Sequence, residues 1–282
     1  MKNSIQSHYF MTSDRVKLHY YEAGKGPTIV MLPGGGLAAE EFRYQLESLD
    51  HHYHVIAIDM CGHGKSEKVN YGYRISRFAQ DLYELIKHKH LDKVNILAHS
   101  LGCSVLYNYW DLHGGTHLSK LILIDEPAVL MANPNWPDHK KEQLGAIYNE
   151  KILYHIVNSM SGPNKADFIR EIIDAMTTSQ ASQTLKNWLA HCMSDIPGTH
   201  AASLYFNNIT QDWRDVIQRI NIPTLLIAGE KSVHPPQSQQ WLQSQIPHAQ
   251  LKIFPENQGG NHFMHVEAAE QFNQCVQQFI NI

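Results

Sequence analysis

Short, continuous apolar runs alternate along the chain with longer segments in which apolar residues recur at helical spacing. Such runs are typical of parallel strands that are buried on both faces, and the periodic segments between them predict helices. The predicted buried strands are residues 28–32, 55–58, 94–98, 118–124, 222–229 and 250–254. A hairpin of residues 9–12 and 17–22 precedes them. The alternation predicts an α/β fold with a mostly parallel sheet.

This pattern changes between residues 127 and 220. No buried strand is predicted there, and four periodic stretches predict helices at about 144–158, 166–177, 181–193 and 212–219. We therefore expect a helical insertion at 127–220 and a core formed by residues 1–126 and 221–282.

Ser100 lies at a predicted corner between the strand at 94–98 and a helix at 103–112. A nucleophile on such a corner has a strained backbone, and bulky side chains two residues before or after it would collide. Ala98 and Gly102 meet this size requirement. The N–H group of Leu101, at the beginning of the helix, would point to where negative charge develops during acyl transfer. The pattern indicates a nucleophilic serine.

Three successive glycines follow Pro33, directly after the predicted strand at 28–32. Glycines allow the backbone to turn sharply and to bring an N–H group close to a ligand. A flexible loop is the alternative interpretation. Because the loop follows a buried strand and precedes the serine corner, the sequence favours an oxyanion site.

Composition narrows the class of protein. The chain has 282 residues, 43% of them hydrophobic, which suits one large domain or a domain with an insertion. Its net charge of -4 argues against a nucleic-acid partner. The four cysteines lack CxxC spacing, so we expect reduced thiols and no metal site. The first eight residues lack the apolar core of a signal peptide and no apolar run is long enough to span a membrane, so a cytoplasmic location is expected.

Four motifs give the chain a resemblance to the α/β-hydrolase superfamily over nearly its whole length. They are residues 32–36 (LPGGG), 59–66 (DMCGHGKS), 98–102 (AHSLG) and 260–263 (GNHF). The resemblance implies the α/β-hydrolase fold, with the insertion forming a helical cap over the active site. The chain differs from the common family pattern at Pro33, where histidine is frequent, and at Cys61, where arginine is frequent.

The resemblance implies that Ser100 is the nucleophile and that His262 is its base, since the family places the base in a loop after the last strand. An imidazole with a pKa of about 6.5 can accept the serine proton at neutral pH. His265 is interpreted as a surface histidine of the closing helix, and His99 as a structural residue.

The acid departs from the common pattern. Ser232 occupies the usual aspartate position, and a hydroxyl group cannot hold a negative charge beside an imidazolium. Asp125, which ends the strand after the serine unit, is the favoured acid, because some dehalogenases and the cofactor-free quinolone dioxygenases of the superfamily place their acid there. Glu230 is the alternative acid, and Glu126 is expected to point to the opposite face if the strand continues.

The predicted oxyanion donors are the backbone N–H groups of Gly35 and Leu101, with Gly36 as a neighbouring rival. The expected reaction is hydrolysis of a small carboxylic ester or lactone through an acyl-enzyme, without a cofactor or a metal. We expect a small-molecule substrate with an apolar part and no membrane partner, and the oligomeric state is left open. Five aromatic residues of the insertion could line its pocket or only hold the cap together: Trp136, Trp188, Tyr205, Phe206 and Trp213.

Several other functions share these residues. A serine at position 100 argues against the dehalogenases and epoxide hydrolases of the fold, which use aspartate there. A cofactor-free dioxygenase resembling the 3-hydroxy-4-quinolone ring-cleaving group would share His99, Ser100 and Asp125, but the stretch 33–39 lacks the histidine that those enzymes carry. A C–C bond hydrolase, a perhydrolase or a non-catalytic ligand receptor would also keep the same residues.

Overall fold

The computed structural model describes residues 5–282. Residues 1–4, which belong to the segment predicted to lack the apolar core of a signal peptide, lie outside the described residues. The described part of the chain contains one eight-stranded sheet, in the order β1-β2-β4-β3-β5-β6-β7-β8. The strands are β1 (Gln6–Met11), β2 (Lys17–Ala23), β3 (Thr28–Leu32), β4 (His54–Ile58), β5 (Val94–His99), β6 (Leu118–Ile124), β7 (Thr224–Gly229) and β8 (Gln250–Phe254). The pairs β1/β2 and β2/β4 are antiparallel, and the other neighbours are parallel.

The predicted strands are confirmed, with bounds that differ by a few residues at most. Their continuous apolar runs follow from the two layers that cover the sheet. Val30 and Leu32 belong to one apolar cluster, whereas Ile29 and Met31 belong to the cluster on the opposite face. Because successive strand side chains point to opposite faces, a strand covered on both sides needs apolar residues at every position.

Helices cover both faces of this sheet. In chain order they are α1 (Arg43–Leu49), α2 (Ile75–His88), α3 (Leu101–His113), α4 (Asp138–Leu144), α5 (Glu150–Ser161), α6 (Lys165–Met176), α7 (Gln183–Ser194), α8 (Gly198–Ile209), α9 (Arg214–Ile217), α10 (Pro236–Gln245), α11 (Met264–Glu267) and α12 (Ala269–Ile280). Among the described residues, no helix has both the length and the hydropathy needed to span a membrane.

Among the elements that the structure describes, those between β6 and β7 are all helices, α4 to α9, as the sequence pattern predicts. The prediction missed α4 and α8, and the helix expected at 212–219 is the single turn α9. Helix α8 begins with Gly198 directly after Pro197, which gives it weak local propensity. Leu153 of α5 and Ile209 at the end of α8 share a buried cluster, so tertiary packing stabilises this helix.

Candidate active site

The serine corner lies where β5 ends and α3 begins. Ser100 has φ 50° and ψ -126°, a strained conformation expected of a nucleophile at such a corner, and it lines a cavity. A Cβ atom at Gly102 would lie 2.5 Å from the carbonyl oxygen of Leu32. Only glycine fits at this position, because the first turn of α3 packs directly on the backbone at the end of β3. The size requirement predicted from the sequence therefore has a direct structural cause.

The structure brings Asp125 to His262. The Nδ1 atom of His262 donates to Oδ2 of Asp125 at 2.6 Å, and both side chains are buried. The hydroxyl group of Ser232 donates to the same carboxylate oxygen. Ser232, at the usual aspartate position, therefore contacts the carboxylate that binds His262, although Ser232 itself carries no charge.

Glu230, the alternative acid, lies away from this pair. Its side chain is exposed and accepts a hydrogen bond from the backbone N–H of Glu256 at 2.9 Å. Its own backbone N–H donates to Phe254, which continues the pairing of β7 with β8 beyond the named strands. Glu230 makes no hydrogen bond or ion pair with His262 in the described chain, so Asp125 stays the favoured acid.

The condition attached to the expectation for Glu126 is not met. Asp125 has a φ of 54°, so the strand does not continue through it and the alternation of faces ends. Glu126 consequently faces the same cavity as Ser100 and His262. Aspartate is one of the residue types enriched at positive φ, but this preference is too weak by itself to predict the turn.

The loop that carries His262 is held by the end of α6. The backbone N–H of His262 donates to Met176, and the side chain of Asn261 donates to the carbonyl of Thr177 at 2.9 Å. Burial lowers the pKa of His262, the neighbouring His99 lowers it further, and the contact with Asp125 opposes both without cancelling them. The imidazole is thus neutral at pH 7 and able to accept a proton.

The glycine loop after β3 supplies a free donor at the cavity. The N–H of Gly34 is taken by Glu41 at 2.9 Å, whereas the N–H of Gly35 makes no hydrogen bond within the described chain. Gly35 lines the cavity, and its carbonyl accepts from the hydroxyl of Tyr205 at 2.9 Å. Leu101 also lines the cavity and, as the first residue of α3, has no intrahelical partner for its N–H. Gly36 is not among the residues that line the cavity, and a Cβ atom at this position would contact Met193.

A buried cluster behind the loop was not predicted. The carboxylate of Glu41 contacts the imidazoles of His99 and His265, and all three side chains are inaccessible to solvent. The Nε2 atom of His265 donates to Glu41 at 2.8 Å, so the interpretation of His265 as a surface histidine is wrong. Burial raises the pKa of Glu41, but the charges and hydrogen bonds of the two imidazoles outweigh burial and hold it far below its ordinary value.

The same three side chains are a group of potential metal ligands in the described part of the chain, with donor atoms within 4.8 Å of one another. The atoms concerned already pair with each other, since His99 and His265 both contact the Oε1 atom of Glu41. The cluster therefore fits a structural role, in which Glu41 ties the glycine loop to β5 and to the start of α11.

The cavity above Ser100 has a volume of about 250 Å³. Apolar side chains of α5 and α6 form much of its wall: Ile152, Ile156, Phe168, Ile172 and Met176. A small and mainly apolar cavity with a few polar groups is typical of a small-molecule site.

Of the five aromatic residues singled out in the insertion, Tyr205 lines the cavity. Trp213 is buried and donates to a serine hydroxyl on α3, and Phe206 is 41% exposed. Arginine guanidinium groups lie over the rings of Trp136 and Trp188. These four residues are not among those that line the cavity, so of the five only Tyr205 fits the pocket alternative in the described structure.

A serine on a strand-to-helix corner, at the carboxyl edge of a parallel sheet and in one cavity with a buried histidine–aspartate pair, defines the class of α/β hydrolases. The sequence profile described as alpha/beta hydrolase fold matches residues 27–150. The predicted α/β-hydrolase fold is confirmed, and this match supports the resemblance to the α/β-hydrolase superfamily and the prediction of an enzyme.

Individual proteins give the same result. A non-heme chloroperoxidase of Kitasatospora aureofaciens is 26% identical over 278 residues, which cover 96% of this chain and 98% of that protein. A bromoperoxidase structure from Bacillus anthracis is similar with a TM-score of 0.87 at 20% identity, covering 98% of this chain and all of that one. An esterase structure from Exiguobacterium antarcticum has the same TM-score of 0.87 at 21% identity, with coverage of 98% and 100%.

Proposed function

We propose that this protein hydrolyses a small carboxylic ester or lactone through an acyl-enzyme on Ser100. The observation that carries the proposal is the buried contact between His262 and Asp125, in the same cavity as the strained serine. A serine hydroxyl becomes a competent nucleophile when a positioned base removes its proton. A buried carboxylate on the far nitrogen orients that base and stabilises its charged form.

The proposed reaction has two steps. The Oγ atom of Ser100 attacks the carbonyl carbon while His262 takes the hydroxyl proton, and the N–H groups of Gly35 and Leu101 stabilise the oxyanion. The tetrahedral intermediate collapses, the alcohol leaves with the proton from His262, and an acyl-enzyme remains. Water then attacks this ester with His262 as base, which releases the carboxylic acid and restores the serine. These steps need no metal or cofactor.

The cavity supports a small substrate with an apolar part, because its volume is about 250 Å³ and its walls from α5 and α6 are mainly apolar. We assign residues 127–220 as the cap that forms these walls, and residues 1–126 and 221–282 as the core. The cytoplasmic location stays a prediction.

A second candidate is perhydrolysis, which the names of the two haloperoxidases favour. If hydrogen peroxide replaces water in the second step, the same acyl-enzyme gives a peracid and free Ser100. Peroxide-dependent bromination of an indicator in the presence of a carboxylate would detect this reaction.

We expect a fluorophosphonate probe to label the wild type and not Ser100→Ala, because the probe reports an activated serine. Hydrolysis of p-nitrophenyl esters of graded chain length should fall by about 10³-fold or more in the same variant. Absence of both labelling and hydrolysis in the folded wild type would contradict the proposal. Ligand binding without labelling would favour a receptor, and oxygen uptake with a 3-hydroxyquinolone that survives Ser100→Ala would favour the dioxygenase.

A further inference from the structure

The cavity contains polar side chains that the proposed reaction does not use. Glu126 lines the cavity and exposes only 2% of its surface to solvent. Its Oε1 atom accepts hydrogen bonds from Ser104 at 3.1 Å and from Asn208 at 3.2 Å. Because both hydrogen bonds go to Oε1, they hold the carboxyl group in place and leave its other oxygen, Oε2, available to a ligand.

His234 lies opposite this second oxygen. Its Nε2 atom is 3.9 Å from Oε2 of Glu126, which is too long for a hydrogen bond. The imidazole exposes 3% of its surface, lines the same cavity, and has no hydrogen-bond partner for Nδ1 within the described chain. The Nδ1 atom is closed off from the cavity, so the nitrogen that a ligand between the two groups can contact is Nε2, which faces Oε2 of Glu126. The ring also lies 5.4 Å from that of His262, which places it beside the proposed reaction centre.

Both groups are mainly uncharged at neutral pH. Burial raises the pKa of Glu126 to about 8; the hydrogen bonds from Asn208 and Ser104 oppose this and the charge of Asp125 adds to it. Burial lowers the pKa of His234 to about 4, against the opposing attraction of Asp125. A protonated carboxyl group can donate through its free oxygen, and a neutral imidazole has one nitrogen that accepts.

We propose that Glu126 and His234 form a polar subsite that binds a hydroxyl group carried by the substrate, beside the ester or lactone carbonyl. This inference rests on the proposed function and names the class of substrate: a hydroxylated ester or lactone. A hydroxyl group both accepts and donates, so it can accept from Glu126 and donate to His234. A carboxylate could not donate, and an ammonium group could not accept from a protonated carboxyl group.

The test measures binding to Ser100→Ala, which cannot form an acyl-enzyme. Calorimetry compares ethyl hexanoate with its 2-, 3- and 6-hydroxy derivatives. We expect at least one hydroxy ester to bind about 3- to 10-fold more tightly than the parent, as one or two net hydrogen bonds give. Adding Glu126→Leu should reduce this ratio to about one, whereas Glu126→Gln should keep most of it, because an amide still accepts from Asn208 and donates to the ligand.

Glu230→Leu is the matched control for removing a carboxylate, and it should keep the ratio. If Glu126→Leu fails to fold in a thermal unfolding assay, His234→Phe replaces it, and the ratio should again fall. The subsite is overturned if no hydroxy ester is preferred, if the preference survives Glu126→Leu, or if ethyl 6-aminohexanoate is preferred instead. Fluorophosphonate labelling of the wild type reports separately on the proposed function, so a labelled protein without hydroxyl preference overturns the subsite alone.

Discussion

At the scale of single residues, the proposed chemistry depends on the contacts of Asp125. Its carboxylate oxygen Oδ2 accepts from His262 and from Ser232, and its positive φ of 54° turns the chain at the end of β6. An acid at the end of β6 thus contacts His262, the same imidazole that an acid at the usual family position after β7 would contact. Ser232 retains a role as a hydrogen-bond donor that holds the carboxylate toward His262.

We expect Asp125→Asn to lower kcat/KM for a p-nitrophenyl ester by about 10³- to 10⁴-fold, because the amide favours the wrong tautomer of His262. Steady-state kinetics on the purified variants measure the change. The matched control, Glu230→Gln, alters an exposed carboxylate at the edge of the sheet and should stay within about twofold of the wild type. A larger loss of kcat/KM in Glu230→Gln than in Asp125→Asn would instead identify Glu230, after the usual strand, as the acid.

At the scale of elements, the site depends on how the glycine loop is attached to its neighbours. Glu41 lies in a short 3₁₀-helix (Ala39–Phe42) between the loop and α1. Its carboxylate accepts from the N–H of Gly34 and contacts His99 at the end of β5 and His265 in α11. One side chain therefore connects three elements that present the proposed donors, nucleophile and base.

We expect Glu41→Gln to lower kcat for an ester by about 10-fold or more, while KM changes less than about threefold, because displaced donors act mainly on the transition state. Glu40→Gln is the control, since Glu40 is the exposed neighbour in the same helix and should leave both constants unchanged. Circular dichroism verifies that both variants are folded. A rise in KM alone, or an unchanged kcat, would contradict the positioning role of Glu41.

At the scale of the whole molecule, two apolar layers stabilise the sheet that carries the site. The layer that contains Phe42, Leu46 and Phe272 packs α1 and α12 on one face, and the layer that contains Phe78 and Leu106 packs α2 and α3 on the other. Both layers reach β3 and β5. The position of Ser100 at the end of β5 is thus supported from both sides.

We expect Phe272→Ala to lower the free energy of unfolding by about 3 to 5 kcal/mol, because Phe272 is fully buried and its removal leaves a cavity. For a chain of this size the melting temperature should fall by roughly 6 to 20 °C in a thermal unfolding experiment. Phe206→Ala removes an aromatic ring that is 41% exposed, so it should lower the melting temperature much less. Equal shifts in the two variants would refute this view of the core.

The sequence by itself determined the fold and the position of the serine corner. Strands buried on both faces need an apolar residue at every position, and a strained corner needs small residues close to it. Both requirements concern residues that are close together in the chain, so they can be recognised in the sequence. Asp125 was favoured over Glu230 through a resemblance, and the structure agrees with that order in the contacts of His262.

Only the tertiary structure decided which side chains meet. The cluster of Glu41, His99 and His265 joins residues that are far apart in the chain, and helix α8 depends on its packing against α5. Glu126 lines the cavity after a turn with positive φ at Asp125, which the alternation of apolar and polar residues does not predict. Periodicity records how each element is buried, whereas long-range contacts and single turns of the backbone arise only when the whole chain has folded.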